Sequence, residues 1–211
     1  MDVTKKYKAE RKEVARFMRR LYNHGLTTTS GGNISLRISD NMIAITPSAT
    51  DKGRMKWEEV GIMTMNGKNL TPDLMPSIEA KMHLSIYRRR EVKAIVHAHP
   101  TFATTFTAMK SRINTSLTAE ACAILGEPLF VPYALMSSAK LAGIVAKSIE
   151  KSDILLLENH GILTVGADLL QAFDRIEVLE NAARMTVITQ VMGNNKPLSK
   201  SRIDEIKKIF R

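Results

Sequence analysis

The sequence is poor in cysteine, in aromatic residues and in long hydrophobic runs. It holds one cysteine, Cys122, so no disulfide can form within the chain, which fits a cytoplasmic protein. No window approaches the roughly 18 uninterrupted apolar residues of a membrane-spanning helix. The charged segment from Met1 to Arg20 lacks the apolar stretch of a secretory signal. Aromatic residues make up 5% and do not interleave with the basic clusters, so neither a membrane nor a nucleic acid is an expected partner.

What the chain does contain is typical of one globular domain over residues 1–211. Hydrophobic residues make up 44% and charged residues 25%. The net charge is +10, from 31 basic and 21 acidic residues. The basic residues are scattered over helix-like segments and mainly indicate solvated helix faces. The remaining interpretation is a field that attracts anionic ligands.

The pattern of apolar residues predicts helices and strands mixed along the whole chain. Ser77 and Asp168 are candidate N-caps of two of the helices. No repeat or linker interrupts the pattern, so we expect one α/β or α+β domain whose sheet is covered by helices. Helices are predicted over residues 3–24, 76–89, 102–109, 138–149, 168–191 and 201–210, and strands over 34–38, 42–46, 62–65, 94–99, 129–131, 154–157 and 161–165.

Three histidines are candidate metal ligands. His97 and His99 lie two residues apart at the end of an apolar strand, so both side chains point to the same face. For this pair alone, hydrogen-bonded histidines and metal ligands are about equally good interpretations. His160 follows a second buried strand, in a bend before Gly161. Three neutral imidazoles form a known catalytic zinc set because they leave a coordination position open for substrate.

Glu79 lies in the first turn of a predicted helix, where unpaired amides and the helix dipole stabilise a carboxylate. A capping glutamate is one interpretation, and an anion or metal site at the helix start is the other. His83 follows one helical turn later. It is more typical of a packed helix histidine than of a metal ligand.

Two turns are rich in small or hydroxyl-bearing residues. The first is SGGN over residues 30–33, and the second is TPSAT over 46–50. Such turns expose backbone amides that can hold a phosphate, although small residues also simply form turns. Neither turn matches a P-loop or a dinucleotide-binding fingerprint.

Taken together and in order, these motifs resemble the class II aldolase and adducin family. The match extends over nearly the whole chain. The motifs that carry it are TSGGNIS (29–35), ITPS (45–48), PSIE (76–79), VHAH (96–99) and ENHG (158–161). Chain length and the position of Glu79 are most similar to the fuculose-phosphate aldolase subgroup.

The resemblance implies a fold, a metal and a reaction. The fold would be a three-layer α/β/α domain around a mainly antiparallel sheet, assembled as a homotetramer with active sites at subunit interfaces. Zinc would be held by His97, His99 and His160, with Glu79 as a displaceable fourth ligand and the general acid/base. The reaction would cleave a ketose 1-phosphate, such as L-fuculose 1-phosphate, to dihydroxyacetone phosphate and a small aldehyde such as lactaldehyde.

The resemblance also implies a phosphate site, from which this chain departs at some positions. Ile78 stands where the family often has a second serine, and Ala49 replaces a usual glycine. Residues 114–121 contain no tyrosine to protonate the aldehyde oxygen. The residues expected around the phosphate are Ser30, Gly32, Asn33, Ser48, Ala49, Ser77 and Ile78.

Other members of the family give the alternatives. They are a methylthioribulose-phosphate dehydratase, a pentulose-phosphate 4-epimerase, sugar-acid phosphate decarboxylases and a non-catalytic adducin-like interaction module. Epimerases usually carry aspartate at the position of Glu79, which favours the aldolase. Retention of the three histidines argues against a non-catalytic module.

Overall fold

In the computed structural model, which describes residues 3–193 and 195–210, the seven strands found there belong to one sheet. Across the sheet they lie in the order β3-β2-β1-β4-β7-β6-β5. Neighbouring strands are antiparallel except for β5 and β6, which are parallel. The predicted mainly antiparallel sheet is therefore confirmed. The strands are β1 (Asn33–Ser39), β2 (Met42–Ile45), β3 (Gly61–Thr64), β4 (Ala94–Ala98), β5 (Leu129–Val131), β6 (Ile154–Leu157) and β7 (Gly161–Gly166).

Helices cover both faces of this sheet. In β4, Val96 faces one hydrophobic core, which α2, α4, α5 and α7 share, and Ile95 faces the other, which α3 and α6 share. This alternation produces the three layers that the resemblance implied. The helices in the described residues are α1 (Val3–Lys6), α2 (Lys8–Asn23), α3 (Ala80–Arg89), α4 (Thr101–Thr107), α5 (Ala119–Leu125), α6 (Ala139–Ser148), α7 (Leu169–Met192) and α8 (Lys200–Phe210), with a short 3-10 turn over Trp57–Glu59.

Helix starts show where local sequence signals succeed and where they fail. Asp168 is the N-cap of α7, as predicted, and its Oδ1 accepts a hydrogen bond from the Gln171 amide at 2.8 Å. The predicted cap at Ser77 is wrong, because α3 begins only at Ala80. The Ser77 amide donates to the Thr46 carbonyl at 3.2 Å, and Ser77 Oγ accepts from the Glu79 amide at 3.2 Å, so Ser77 lies in a turn before the helix and against the segment that follows β2.

Two further differences concern the first predicted helix and α5. The helix predicted over residues 3–24 is divided at Tyr7, where φ is −104° and ψ is 33°. Helix α5 was not predicted, although its cap is visible in the sequence. Thr118 Oγ1 accepts from the Ala121 amide at 3.1 Å, and Gly126 follows the helix.

The sheet register places the candidate site residues at one end of adjacent strands. Asn33 of β1 pairs with His97 of β4, and Ala98 pairs with Ile162 of β7. The turn that carries His160 joins β6 to β7 at this same end. Among the described residues, no helix is long and apolar enough to cross a membrane.

Candidate metal and active site

His97 is fixed by its position in the centre of the sheet. Its side chain is fully buried, and its Nδ1 donates a hydrogen bond to the Ile162 carbonyl at 2.8 Å. Because this bond places the proton on Nδ1, the Nε2 atom of the neutral ring is free to bind a metal. Backbone pairing between β4 and β7 therefore determines the ring orientation.

His99 and His160 turn their rings toward the same point. Nε2 of His99 lies 3.1 Å from Nε2 of His97. His160 sits in a tight turn in which Asn159 has a φ of +52°. One ligand atom from each of the three histidines lies within 4.8 Å of the others. The structure thus brings together the three histidines predicted from the sequence.

Gly161 makes this close approach possible. A Cβ atom at this position would lie 2.4 Å from Cδ2 of His99 and 2.8 Å from the Ala98 carbonyl oxygen. Both distances are shorter than normal contacts allow. Any side chain at position 161 would therefore displace the His99 ring or strand β4.

Glu79 completes the metal pocket, which we define as His97, His99, His160 and Glu79. The Glu79 side chain is 6% exposed, with Oε2 at 3.2 Å from His97 Nε2 and Oε1 at 3.4 Å from His160 Nε2. Oε1 is buried and has no hydrogen-bond partner among the described residues. A buried acceptor without a partner is costly, and a cation beside it removes that cost. Three imidazole nitrogens and one carboxylate are a donor set suited to zinc or a similar divalent ion.

The electrostatics of the metal pocket keep Glu79 ionised. Burial disfavours its carboxylate, but His97, a hydrogen bond from Asn33 and the nearby His160 together lower the pKa of Glu79 well below its usual value. Burial lowers the pKa of His99 to about 3 and that of His160 to about 4, assisted by the charge of His97. Burial also opposes protonation of His97, but Glu79 outweighs it and raises that pKa. The same carboxylate would favour a metal cation in place of the proton.

A chain of buried hydrogen bonds holds Glu79 from behind. Asn33 Nδ2 donates to Glu79 Oε2 at 2.8 Å, so Asn33 Oδ1 must act as the acceptor for His83 Nε2 at 2.6 Å. On the other side of the ring, Ser35 Oγ lies 2.6 Å from His83 Nδ1 and 2.8 Å from the Tyr87 hydroxyl. Both ring nitrogens of His83 are therefore engaged in hydrogen bonds, so this histidine supports the metal pocket and is not itself available as a ligand. We call Asn33, His83, Ser35 and Tyr87 the support chain.

Burial keeps the support chain uncharged. It lowers the pKa of His83 to about 3, with Glu79 opposing the shift. It also raises the pKa of Tyr87, an effect that a hydrogen bond with Ser35 and the charge of Arg37 only partly offset. A neutral His83 donates from Nε2 and accepts at Nδ1, so the proton positions follow from the hydrogen bonds.

Sequence reasoning identified Asn33 and His83 but not their connection, and it missed Ser35 and Tyr87. A signal was present in the spacing. Ser35 lies two residues after Asn33 in a strand, and Tyr87 lies four residues after His83 in a helix. Each pair therefore shares one face of its element.

The residues expected around a phosphate lie in three segments that contact one another. Ser48 Oγ donates to the Pro76 carbonyl at 2.9 Å and accepts from the Ile78 amide at 3.0 Å. Gly32 and Ala49 have positive φ values, of +67° and +52°. Segments 29–33, 46–50 and 75–79 thus meet beside the metal pocket. The Asn33 side chain is directed to Glu79 and His83, as described above, rather than toward the open side of these turns.

Comparison with known proteins identifies related sequences and folds. Residues 12–187 match the sequence profile described as the class II aldolase and adducin N-terminal domain. The chain is 34% identical over 177 residues to the L-fuculose phosphate aldolase of Methanococcus maripaludis, which covers 83% of this chain and 95% of that protein. It is 32% identical over 182 residues to the 3-oxo-tetronate 4-phosphate decarboxylase of Haemophilus influenzae, which covers 84% and 86%. A solved L-fuculose 1-phosphate aldolase superposes with a TM-score of 0.85 at 30% identity, over 95% of each chain.

Proposed function

The chain belongs to the class II aldolase and adducin family and is a lyase of its metal-dependent class, and from this premise we propose that it cleaves a ketose 1-phosphate. The substrate is L-fuculose 1-phosphate or a similar sugar phosphate. The products are dihydroxyacetone phosphate and a small aldehyde such as lactaldehyde. Similarity to fuculose-phosphate aldolases over most of the chain supports this assignment.

The proposed cofactor is one zinc ion per chain, held by His97, His99 and His160. When bound, the ion supplies Lewis-acid polarisation of the substrate oxygens. Glu79 is the fourth ligand before substrate enters. The buried Oε1 atom of Glu79, which has no hydrogen-bond partner among the described residues and lies 3.4 Å from His160 Nε2, is the observation that carries this assignment.

Glu79 is also the proposed general acid/base. Retro-aldol cleavage removes a hydroxyl proton, breaks a carbon–carbon bond and leaves an electron pair on the carbon next to the carbonyl. Because its pKa is lowered, Glu79 is ionised near neutral pH and able to accept a proton. It then returns a proton to the carbon that holds the electron pair. The support chain orients Glu79 for both transfers.

The proposed phosphate site uses turns rather than a dedicated motif. Its residues are Ser30, Gly32, Asn33, Ser48, Ala49, Ser77 and Ile78. In support of this site, Ser30 and Ile78 are exposed beside the metal pocket, whereas the Ser48 hydroxyl holds two of the segments together. Asn33 contributes through its position in the turn, since its side chain is already engaged.

We further propose that the protein is a cytoplasmic homotetramer. The loop after β5 exposes large apolar side chains, with Tyr133 at 57%, Leu135 at 65% and Met136 at 54%. A cluster of exposed apolar side chains on one loop is typical of a protein–protein interface. Sedimentation velocity would detect a tetramer, and a monomer at micromolar concentration would contradict the proposal.

The test of the reaction is a coupled assay on purified, zinc-loaded protein. L-Fuculose 1-phosphate is supplied, and dihydroxyacetone phosphate is followed with and without a chelator. We expect release that the chelator abolishes and that added zinc restores. The variant Glu79→Gln should retain zinc through the three histidines but lose about 10²- to 10⁴-fold in turnover, the usual contribution of a general acid/base. Zinc binding without any release of dihydroxyacetone phosphate would overturn the substrate assignment.

A second candidate is decarboxylation of a sugar-acid phosphate. It is favoured by the lack of tyrosine in residues 114–121 and by the similarity to the Haemophilus influenzae decarboxylase. A carboxylate leaves as carbon dioxide, so this reaction needs no group to exchange a proton with the oxygen of the departing fragment. Release of carbon dioxide from 3-oxo-tetronate 4-phosphate, with no cleavage of the ketose 1-phosphate, would select this alternative.

A further inference from the structure

Lys52 is a buried cation that the metal pocket does not use. Its side chain is 1% exposed, which places it among the largest fully buried side chains of the described chain. The Nζ atom donates to the Pro47 carbonyl at 2.6 Å and to Thr50 Oγ1 at 3.2 Å. Both partners are neutral. Within the described residues, no carboxylate lies within ion-pair distance of this ammonium group.

An ammonium group in such a place has an energetic cost. Burial lowers the pKa of Lys52 to about 8, and the more distant charge of Glu59 only partly offsets this effect. The group is therefore still mainly protonated near pH 7. A buried charge without an opposite charge destabilises a fold unless a ligand supplies the opposite charge. A methionine or leucine would fill the same volume without this cost.

The position of Lys52 indicates which ligand that is. The ammonium lies inside the turn over residues 47–50, which contains Ser48 and Ala49. The backbone amide of Lys52 donates to the Thr29 carbonyl at 2.9 Å, so the same residue also connects this turn to the glycine-rich segment. The amides of Ala49 and Thr50 have no hydrogen-bond partner within the described part of the chain. An anion that accepts hydrogen bonds from these amides would be bound by the same turn that encloses the positive charge of Lys52.

We propose that Lys52 is the buried counter-charge of a phosphate dianion held by the turn over residues 47–50. Lys52 acts through the turn: it orients Pro47 and Thr50 from the inside and supplies a positive potential to the amides of Ala49 and Thr50. This inference rests on the proposed function, since it assumes a phosphorylated substrate. Beyond that function, the proposal states that the buried charge of Lys52 makes the turn prefer a dianionic group.

The test measures binding of inorganic phosphate to the zinc-loaded protein by calorimetry, with thermal stabilisation as a second readout. The variant Lys52→Met removes the charge and keeps the length of the side chain. We expect its phosphate affinity to fall by about 10-fold or more, in line with the loss of one interaction with a charged group. The variant Lys52→Arg should recover most of the affinity. Zinc content should stay the same in both.

The matched control is Lys56→Met, which makes the same change of charge four residues later on an exposed side chain. Its phosphate affinity should stay within about twofold of wild type, because solvent screens an exposed charge. If the protein cleaves the proposed substrate, Lys52→Met should raise KM by a similar factor and change kcat little. A purely structural lysine would instead leave phosphate affinity unchanged in the folded variant, and that result would overturn the proposal.

A measurement on wild-type protein covers the case in which Lys52→Met does not fold. Phosphate added to ¹⁵N-lysine-labelled protein should shift the Nζ signal of Lys52, and the Lys56 signal should not move. An unchanged Lys52 signal at saturating phosphate would overturn the proposal. Phosphate binding that depends on Lys52, without dihydroxyacetone phosphate release, would uphold this inference while the proposed reaction fails.

Discussion

The two ends of the central strands both hold charged groups, but in opposite ways. At the end opposite the metal pocket, Asp153 lies between two arginines, with Oδ1 at 2.5 Å from Arg90 and Oδ2 at 2.6 Å from Arg175. Each carboxylate oxygen has its own cation. At the other end, Oε1 of Glu79 is buried with no hydrogen-bond partner among the described residues, and His160 Nε2 lies 3.4 Å from it.

This difference in pairing distinguishes a cluster of charges that stabilises the fold from one that is suited to binding a cation. We call Asp153, Arg90 and Arg175 the arginine cluster. Both oxygens of its one carboxylate are paired with an arginine, so no carboxylate oxygen in it lacks a partner. In the metal pocket the buried Glu79 oxygen lacks a hydrogen-bond partner in the described part of the chain, and a bound cation would supply one. At one end of the sheet, therefore, both oxygens of the Asp153 carboxylate have a cationic partner, whereas at the other end one oxygen of Glu79 has no hydrogen-bond partner within the residues described.

The largest expected effect comes from removing one metal ligand. His97→Ala should lower turnover by more than about 100-fold, because even changes behind a metal site cost 10- to 100-fold. It should also lower the zinc content per chain, measured by atomic emission on dialysed protein. His24→Ala is the matched control, since His24 is an exposed histidine paired with Glu177. Full activity with normal zinc in His97→Ala would contradict the assignment of the metal pocket.

A smaller effect is expected from the support chain. His83→Ala leaves Asn33 without the partner that fixes its amide, so Glu79 loses orientation but no ligand is removed. We expect turnover to fall about 10- to 100-fold while zinc content stays the same.

A double-mutant cycle with Asn33→Ala checks that His83 acts through Asn33. The combined loss should be close to that of Asn33→Ala alone, because both changes break the same path. Fully additive losses would indicate that His83 acts by another route. Tyr87→Phe, farther along the support chain, should lower turnover less than His83→Ala.

The smallest effect on activity is expected at the arginine cluster. Asp153→Asn removes the charge between Arg90 and Arg175, and because these side chains are partly exposed the free energy of unfolding should fall by only about 1 kcal/mol. Turnover per folded molecule should stay within twofold, since the change lies at the far end of the strands. Urea unfolding and the coupled assay measure the two quantities separately. A large loss of turnover with unchanged stability would show that the two ends are not independent.

The sequence predicted the parts of the site that short-range geometry determines. His97 and His99 share a face because strands alternate, and the bend before Gly161 places His160 at the end of β6. The sheet and its two helical layers followed from the family resemblance. In contrast, the side-chain partners of Asn33 depend on which segments meet in three dimensions. Asn33 contacts His83 across 50 positions of sequence, a distance that no local pattern encodes.

The segment before α3 shows a related limit. Ser77 has the residue type of an N-cap, and local preference favours a helix start there. Its amide pairs with the Thr46 carbonyl, 31 positions earlier, and the chain turns at Ile78 and Glu79 before α3 begins at Ala80. Ser77 Oγ still accepts from the Glu79 amide at 3.2 Å, so the local signal produces a turn before the helix rather than its N-cap.

The contrast between Gly161 and Ile78 bears on how such a protein changes its substrate over evolution. Position 161 admits no side chain, because any Cβ would strike the His99 ring. Ile78 is 60% exposed on a connecting segment, and other residue types fit there without disturbing the sheet. Selection can therefore change residue 78 while Gly161 and the packing of the His99 ring stay constant, so relatives can come to differ in substrate while they keep the same fold.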